Sequence, residues 1–192
     1  TAAPSSSSGP RSDHRSIRSP RSNRTPAAMP MPHSAVSTAS ARGSMPGPTI
    51  EVNQGDRVRI VVTNELPEAT STHWHGFELP VQYDGSDTLT QNPIEPGKSF
   101  VYEFDVHEVG TFFYHSHVPM QEAFGSVGWF IVHPQKVFDP PVDRDFGLIF
   151  QNFFIEPNQT IADSWRMDWN WHTINGRSGP YTTPLVVKHG ER

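Results

Sequence analysis

Two short stretches of the sequence each carry a pair of histidines separated by one residue. THWHG contains His73 and His75, and YHSHV contains His115 and His117. Alternate residues of a β-strand point to the same face and lie roughly 6.5–7 Å apart. Neutral imidazole is the commonest metal ligand and suits zinc, copper, iron and nickel. A single pair is often a chance or surface feature, but two pairs on neighbouring strands predict a metal site built from four imidazoles.

The elements that hold these histidines are predicted to be short strands. Apolar and polar residues alternate from residue 49 onward, which is typical of strands with one buried face. The segment 49–66 reads as a strand, a Gly-Asp hairpin turn and a second strand. Further strands are predicted at 71–79, 99–106, 110–117, 126–133 and 146–155, with one helical turn at 119–125. Many short strands at this spacing predict an all-β fold, an antiparallel Greek-key sandwich or barrel.

Composition divides the chain near residue 43. Residues 1–43 are rich in serine, proline and arginine, lack apolar periodicity and are predicted to form a disordered tail. From residue 49, nine basic residues stand against nineteen acidic ones, which argues against nucleic acid as a partner. No apolar run reaches about eighteen residues, so no membrane span is predicted. The chain has no cysteine, so disulfides carry no information about its compartment.

An internal repeat indicates the domain organisation. The stretch TIEVNQGDR at 49–57 is similar to PLVVKHGER at 184–192, with the glycines and arginines in register. A repeat of this kind predicts a second copy of the same domain. We expect a first domain at 44–140, an inter-domain linker and strand at 141–172, and the incomplete start of a second domain at 173–192.

The motifs, taken in order, resemble the amino-terminal cupredoxin domain of multicopper oxidases of the laccase and bacterial copper-oxidase type. The resemblance rests on MPGPTIEVNQGDRVRIVVTNELPEATSTHWHG, then DG…TQNPIEPGKSFVYEF, then GTFFYHSH…GSVGWFIVHP, and covers residues 44–134. It implies a cupredoxin-like Greek-key sandwich. It also implies an oxidoreductase that oxidises a phenolic substrate or a metal ion and reduces dioxygen to water at a trinuclear copper cluster, in the periplasm or outside the cell.

The same resemblance implies roles for particular residues. His73 resembles the ligand of the type 2 copper. His75 and His115 resemble ligands of one type 3 copper, and His117 resembles a ligand of the other. These four would be half of the cluster's histidines. Asp84 resembles a catalytic acidic residue that relays protons near the cluster, although its position before a glycine is also that of an ordinary turn residue.

The absence of cysteine bears on electron entry. In the family's last domain, a His-Cys-His box supplies the thiolate of the type 1 copper, whereas this chain has Ser116 in the middle of its box. A serine hydroxyl is a poor copper ligand where a soft thiolate is required. We therefore expect the type 1 copper on a missing carboxy-terminal cupredoxin domain, in cis or on a neighbouring subunit. The resemblance leaves two kinds of parent open. A two-domain parent would close the cluster between neighbouring subunits, typically as a homotrimer, and a three-domain parent could be a monomer. In either case we expect the chain alone to be inactive.

Two other interpretations remain open from the residues. A non-enzymatic copper-binding or storage module would use the same four histidines. A cupin-type mononuclear metal protein would need a glutamate shortly after its first histidine pair, for which Glu78 is a near match, and a lone later histidine. Metal stoichiometry separates these interpretations. His107 and His133, at predicted strand ends, are expected to be structural or solvent-exposed.

Overall fold

The protein is described from a computed structural model, in which residues 34–39 (backbone only), 44–136, 141–162 and 168–192 are described. Almost all regular structure there is strand. The strands are β1 Ser34–Ala39, β2 Ile50–Asn53, β3 Arg57–Thr63, β4 His73–His75, β5 Ser99–Asp105, β6 Gly110–His115, β7 Val127–His133, β8 Phe150–Phe153 and β9 Trp171–Ile174. The helical elements in this part of the chain are two single 3-10 turns, Val81–Tyr83 and Gly179–Tyr181. Neither is nearly long enough to cross a membrane.

Two sheets form the main body. One has the strand order β1-β3-β5 and the other β2-β7-β6-β4, while β8 and β9 pair with each other in a separate ribbon. Strands of both sheets contribute buried apolar residues to one core. The predicted all-β cupredoxin-like sandwich is therefore confirmed.

Alternation along the strands explains the core. In β3, every second residue is buried, and Val58, Ile60 and Val62 face inward. Trp74 of β4 is 1% exposed and packs edge-on against Tyr102, with ring centroids 5.1 Å apart. Edge-to-face contacts between aromatic rings add to the stabilisation that burial alone provides. The histidine strand β4 is thus anchored to the sandwich through the residue between its two histidines.

The Gly-Asp turn does not form the predicted hairpin. β2 pairs with β7 and β3 pairs with β5, so the turn carries the chain from one sheet to the other. Gly55 adopts φ 91° and its N–H donates to the carbonyl of Val106, while the N–H of Val106 donates to the carbonyl of Asp56. These bonds hold the turn beside the end of β5 instead of closing a two-stranded ribbon. β2 and β3 do not pair because they belong to opposite sheets, whose apolar faces pack against each other in one core.

The expectation of a purely antiparallel sandwich is also wrong. β2 runs parallel to β7, and β1 runs parallel to β3. Parallel neighbours need long connections between them, which periodicity within single strands cannot reveal.

β1 lies inside the segment predicted to be a disordered tail. Its backbone pairs along the whole of β3, from Ser34 opposite Val58 to Ala39 opposite Thr63. The stretch SAVSTA contains neither proline nor arginine, unlike the sequence before it, and an open sheet edge accepts such a segment. Ser34–Ala39 is therefore described as a strand within the segment predicted to be a tail, and the disordered tail at 1–43 stays a prediction. Residues 1–33 and 40–43 lie outside the described residues.

The two copies of the internal repeat adopt the same turn. In both 53–56 and 188–191, the N–H of the fourth residue donates to the carbonyl of the first at 3.1 Å. The acidic side chain of the fourth residue accepts from the N–H of the first, at 2.9 Å in one copy and 2.7 Å in the other. Gly55 and Gly190 have φ angles of 91° and 90°. The likeness seen in the sequence thus extends to the backbone.

Candidate metal centre

The two histidine pairs meet across neighbouring antiparallel strands. His73 of β4 lies directly opposite His115, the last residue of β6, and His75 lies opposite Phe113. Because Trp74 points into the core, the residues on either side of it point away from the core. His117 follows β6 by two residues, so the second pair is held partly by a strand end and partly by the loop that follows.

All four imidazole rings are close together. The ring of His73 is central, with centroid distances of 5.4 Å to His75, 5.2 Å to His115 and 5.5 Å to His117. Nδ1 of His75 lies 3.2 Å from Nε2 of His115. Two imidazole nitrogens bound to one metal ion at 2.0–2.1 Å are about 3.3 Å apart in tetrahedral geometry. These two rings are therefore spaced as joint ligands of one ion.

The tightest cluster contains three of the four histidines. Ligand atoms of His73, His75 and His115 all lie within 4.8 Å of one another, and this is the one such group of metal-ligating side chains among the described residues. His117 lies outside this group, and its ring is 6.3 Å from that of His115. His117 therefore stands apart from the three rings whose nitrogens are close enough to share one ion.

Backbone carbonyls hold two of the rings through Nδ1. Nδ1 of His73 is 2.7 Å from the carbonyl of Asp84, and Nδ1 of His115 is 2.8 Å from the carbonyl of Ser116. A carbonyl accepts only, so in both rings Nδ1 carries the proton and Nε2 keeps its lone pair. Hydrogen bonds of this type orient metal-binding histidines in many sites.

Carboxylates stand near the same nitrogens. Nδ1 of His115 is also 3.1 Å from Oε2 of Glu122, and Nδ1 of His117 is 3.3 Å from Oδ1 of Asp87. His75 differs, since its Nδ1 faces His115 and its ring stacks on Phe113 at a centroid distance of 4.4 Å. Its ligand nitrogen would therefore be Nδ1, whereas the other three rings present Nε2.

Burial lowers the pKa of His115 below its usual value, and the Ser116 carbonyl and Glu122 act in the opposite direction. The net effect favours neutral imidazole at this position. Neutral imidazole is the form that binds a metal ion, so burial prepares His115 as a ligand.

A tight loop brings Asp84 to His73. The chain makes the 3-10 turn 81–83 and then turns back at Gly85, where φ is 84°. A Cβ atom on Gly85 would overlap the carbonyl of Thr72, so only glycine allows this approach. One oxygen of the Asp84 carboxylate lies 3.5 Å from Nδ1 of His73, and the other accepts from the Ser86 hydroxyl at 2.6 Å.

Ser116 lies between His115 and His117 and holds this second pair in place through buried hydrogen bonds. Its side chain is buried, and its hydroxyl donates to Oε1 of Gln121 at 2.7 Å and accepts from the N–H of Val118 at 3.1 Å. The same Gln121 oxygen accepts from the Thr70 hydroxyl at 2.7 Å, which connects this network to the segment leading into β4. A buried polar network with satisfied partners is rigid, so it fixes the two boxes relative to each other.

Three other histidines in the described part of the chain lie outside the metal-ligating group. His133 is exposed and paired with Glu51 at 2.8 Å, His172 is bonded to Asn152, and His107 is exposed. Glu78, the residue required by a cupin interpretation, is exposed and is not part of the metal-ligating group. The spacing of the histidines identified all four clustered rings. It gave no sign of Asp87, Glu122 or Gln121, because loops and not strand periodicity bring them to the rings.

Comparison with known proteins places this chain in a family. The family model described as "Multicopper oxidase" matches residues 24–137. The chain is 43% identical over 147 residues to copper resistance protein A of Pseudomonas syringae pv. tomato, which covers 76% of this chain and 24% of that protein. It is 38% identical over 161 residues to L-ascorbate oxidase of Cucumis sativus, covering 78% of this chain and 27% of that protein.

Solved structures agree with these matches. A blue copper oxidase from Nitrosomonas europaea superimposes with a TM-score of 0.70 and 28% identity, covering 83% of this chain and 57% of the other. The multicopper oxidase mgLAC gives a TM-score of 0.72 and 27% identity, covering 83% and 58%. The chain spans about a quarter of the length of the curated relatives it matches. With the family model covering more than half of its residues, the chain belongs to the multicopper oxidase family.

Proposed function

We propose that this chain is the cluster-bearing amino-terminal part of an oxidase that oxidises a phenolic substrate or a metal ion and reduces dioxygen to water. The observation that carries the proposal is the meeting of two His-x-His pairs across β4 and β6, with Nδ1 of His75 and Nε2 of His115 3.2 Å apart. Membership of the family implies copper as the cofactor. The donor set fits copper, because imidazole suits this metal and the Nδ1 bonds of His73 and His115 leave their Nε2 atoms free.

The proposed division of ligands is the one that the family resemblance implies, and the distances support only part of it, since His73 lies in the tight group with His75 and His115. His75 and His115 would share one type 3 copper, since their nitrogens have the separation of two ligands on one ion. His117, outside the tight group, would bind the second type 3 copper, and His73 the type 2 copper. Bound copper would pass to dioxygen the electrons taken from the reducing substrate. The protein's part is to present neutral imidazoles in fixed tautomers and orientations.

Asp84 is the proposed proton-handling residue. Its side chain is 32% exposed, so its carboxylate reaches solvent, and one oxygen is 3.5 Å from the His73 ring. The reduction of dioxygen to water consumes protons, and a carboxylate at the rim of the site can take them from solvent at its oxygens. The Ser86 hydroxyl, which donates to Oδ2, holds the carboxylate in place for this task.

The parent protein must supply what this chain lacks. A thiolate for the type 1 copper and the other half of the cluster's histidines would come from a carboxy-terminal cupredoxin domain, in cis or from a neighbouring subunit in a homotrimer. The proposed domain plan is a first domain at 44–140, a linker and strand at 141–172, and the start of a second domain at 173–192. The matching turns at 53–56 and 188–191 support that plan. A periplasmic or secreted location is part of the proposal.

The alternatives have less support. A copper-storage module would explain the four rings, but the relatives matched are named as oxidases as well as copper resistance proteins. A cupin would place Glu78 with the histidines, and that side chain lies outside the metal-ligating group.

The proposal is tested on the full-length copper-loaded parent protein, with oxygen uptake and the blue type 1 absorption measured on one sample. Replacing His75 by Ala should abolish oxygen uptake and leave the blue band, because the two copper sites draw on different residues. His172→Ala is the matched control, since this exposed histidine lies outside the cluster, and it should change neither reading. Full oxygen uptake in the His75 variant would remove the cluster assignment and favour copper storage.

A further inference from the structure

We propose that Asp87 is a positioning residue for His117, fixing the tautomer that leaves Nε2 of this ring free for copper. The inference rests on the proposed function, in which His117 is a ligand. It concerns a residue that the histidine spacing does not point to and that carries no chemistry of its own in the proposed reaction.

The histidine rings differ in the group that holds their Nδ1 atom. Nδ1 of His73 and Nδ1 of His115 are held by backbone carbonyls, at 2.7 Å and 2.8 Å, and a side-chain substitution cannot remove a carbonyl. His117 has no such bond within the described residues. Nδ1 of His117 is 3.3 Å from Oδ1 of Asp87, and this contact is the hydrogen bond of the His117 ring within the described residues. Among the rings that present Nε2, His117 is therefore the one whose orientation depends on a side chain.

The loop at 86–91, which carries Asp87, has a defined conformation. The Asp87 side chain is 19% exposed. The next residue, Thr88, has φ 64°, a left-handed conformation that β-branched residues seldom adopt. Bonds from Thr88 N–H to the carbonyl of Gln91 and from Thr90 N–H to the carbonyl of Ser86, both 2.9 Å, close the loop. Strained backbone persists only where its surroundings hold it, and here it carries the carboxylate to the histidine.

The chemical consequence follows from the two tautomers of neutral imidazole. In water, a histidine side chain favours the tautomer protonated at Nε2, which has no lone pair on that nitrogen. A carboxylate at Nδ1 accepts a hydrogen bond and reverses the preference, leaving Nε2 as the ligand. Asp87 thus prepares His117 before any metal arrives, and Asn at this position would still accept through its amide oxygen.

The test reads tautomers directly in the metal-free 192-residue chain, by long-range ¹H–¹⁵N correlation spectra recorded at about pH 8.5, where imidazoles are neutral. We expect the wild-type His117 ring to be protonated at Nδ1. Asp87→Ala should shift it toward the Nε2–H tautomer, and Asp87→Asn should retain Nδ1–H. The matched control is Glu122→Ala, which removes the acceptor side chain near His115 but leaves that ring its bond to the Ser116 carbonyl, so its tautomer should not change.

Oxygen uptake by the copper-loaded parent gives the second reading. Asp87→Ala should lower turnover about 10-fold or more, the range typical of residues that orient metal-binding histidines, and Asp87→Asn should restore most of it. If Asp87→Ala does not fold, Asp87→Ser, whose hydroxyl is too short to reach the ring, carries the same expectations.

An Nε2–H ring in the wild-type chain, or an unchanged Nδ1–H ring in the Ala or Ser variant, would overturn the role of Asp87 while leaving the proposed function standing. The expected tautomers together with a parent that binds no copper at His117 would support the role of Asp87 and refute the ligand assignment instead.

Discussion

At the scale of single residues, the four histidine rings of the site differ in the group that contacts their Nδ1 atom. Carbonyls hold His73 and His115, a carboxylate meets His117, and Nδ1 of His75 faces the neighbouring ring. The clustering of the four histidine rings could be predicted, because His-x-His spacing directs both rings of a pair to the same side of an extended segment. Their acceptors could not, because these come from loops whose course depends on left-handed turns and not on strand periodicity.

Tyr114, the neighbour of His115 on β6, gives a prediction about alkaline pH. Burial raises its pKa to about 12 from the usual value of about 10, and its hydroxyl donates to the carbonyl of Pro48 at 2.7 Å. The unfolded chain therefore loses this proton first. Stability from this group is intact below about pH 10 and is lost as the pH rises from about 10 to 12.

The measurement is chemical unfolding at several alkaline pH values for the wild type and for Tyr114→Phe. The variant should be less stable near neutral pH by about 1 kcal/mol, because the bond to Pro48 is lost. It should also lose less stability between about pH 10 and 12. Part of the alkaline loss should remain, since burial also raises the pKa of Tyr102. Identical pH profiles for the two proteins would contradict the expected ionisation of Tyr114.

At the scale of elements, the site depends on one strand pair and two loops. β4 is three residues long and is anchored by Trp74, while β6 is a central strand paired with β4 and β7. Alternation of apolar residues predicted most strands. It could not predict that the Gly55 turn carries the chain from one sheet to the other, or that β2 pairs parallel to β7. The pairing of strands depends on how apolar residues are buried across the whole sandwich, and a single strand does not contain that information.

Gly85 gives a prediction at this scale, because it brings the Asp84 loop against the backbone before His73. Gly85 and Gly97 both have positive φ angles, 84° and 73°, so alanine at either position carries a similar backbone cost of about 1 kcal/mol. An added Cβ at Gly97 meets nothing within 4 Å, whereas at Gly85 it would overlap the Thr72 carbonyl.

We therefore expect Gly85→Ala to be roughly 1–3 kcal/mol less stable than Gly97→Ala, the cost typical of forced overpacking. Denaturant unfolding of the two variants measures the difference. Equal stability in both would mean that the loop does not approach Thr72 as closely as the structure describes.

At the scale of the whole molecule, the chain combines one nearly complete sandwich with a segment that repeats the turn of its second and third strands. The family model covers the sandwich, and the chain spans about a quarter of its curated relatives. The sandwich and its family could be predicted from the ordered motifs. The strand β1 could not, because its sequence has too few apolar residues to signal pairing and it is stabilised by the open edge of β3.

The absence of cysteine gives a prediction for the chain as a whole. Copper added to the 192-residue chain should produce no intense blue absorption, because that band requires a copper–thiolate bond and the sequence offers none. The chain should also fail to oxidise phenols with oxygen, since it holds only the ligands of a partial cluster and partial sites bind metal loosely. Absorption spectra and oxygen uptake of the copper-treated chain check both expectations. An intense blue band would mean that the ligands have been assigned wrongly.

The central claim is that His73, His75, His115 and His117 jointly hold copper. The most direct measurement is anomalous diffraction at the copper edge from crystals of the copper-loaded full-length protein. We expect anomalous peaks bordered by these four rings, with Nδ1 of His75 and Nε2 of His115 on the same ion. Copper bound only at exposed histidines such as His133 or His172, with no peak among the four rings, would contradict it.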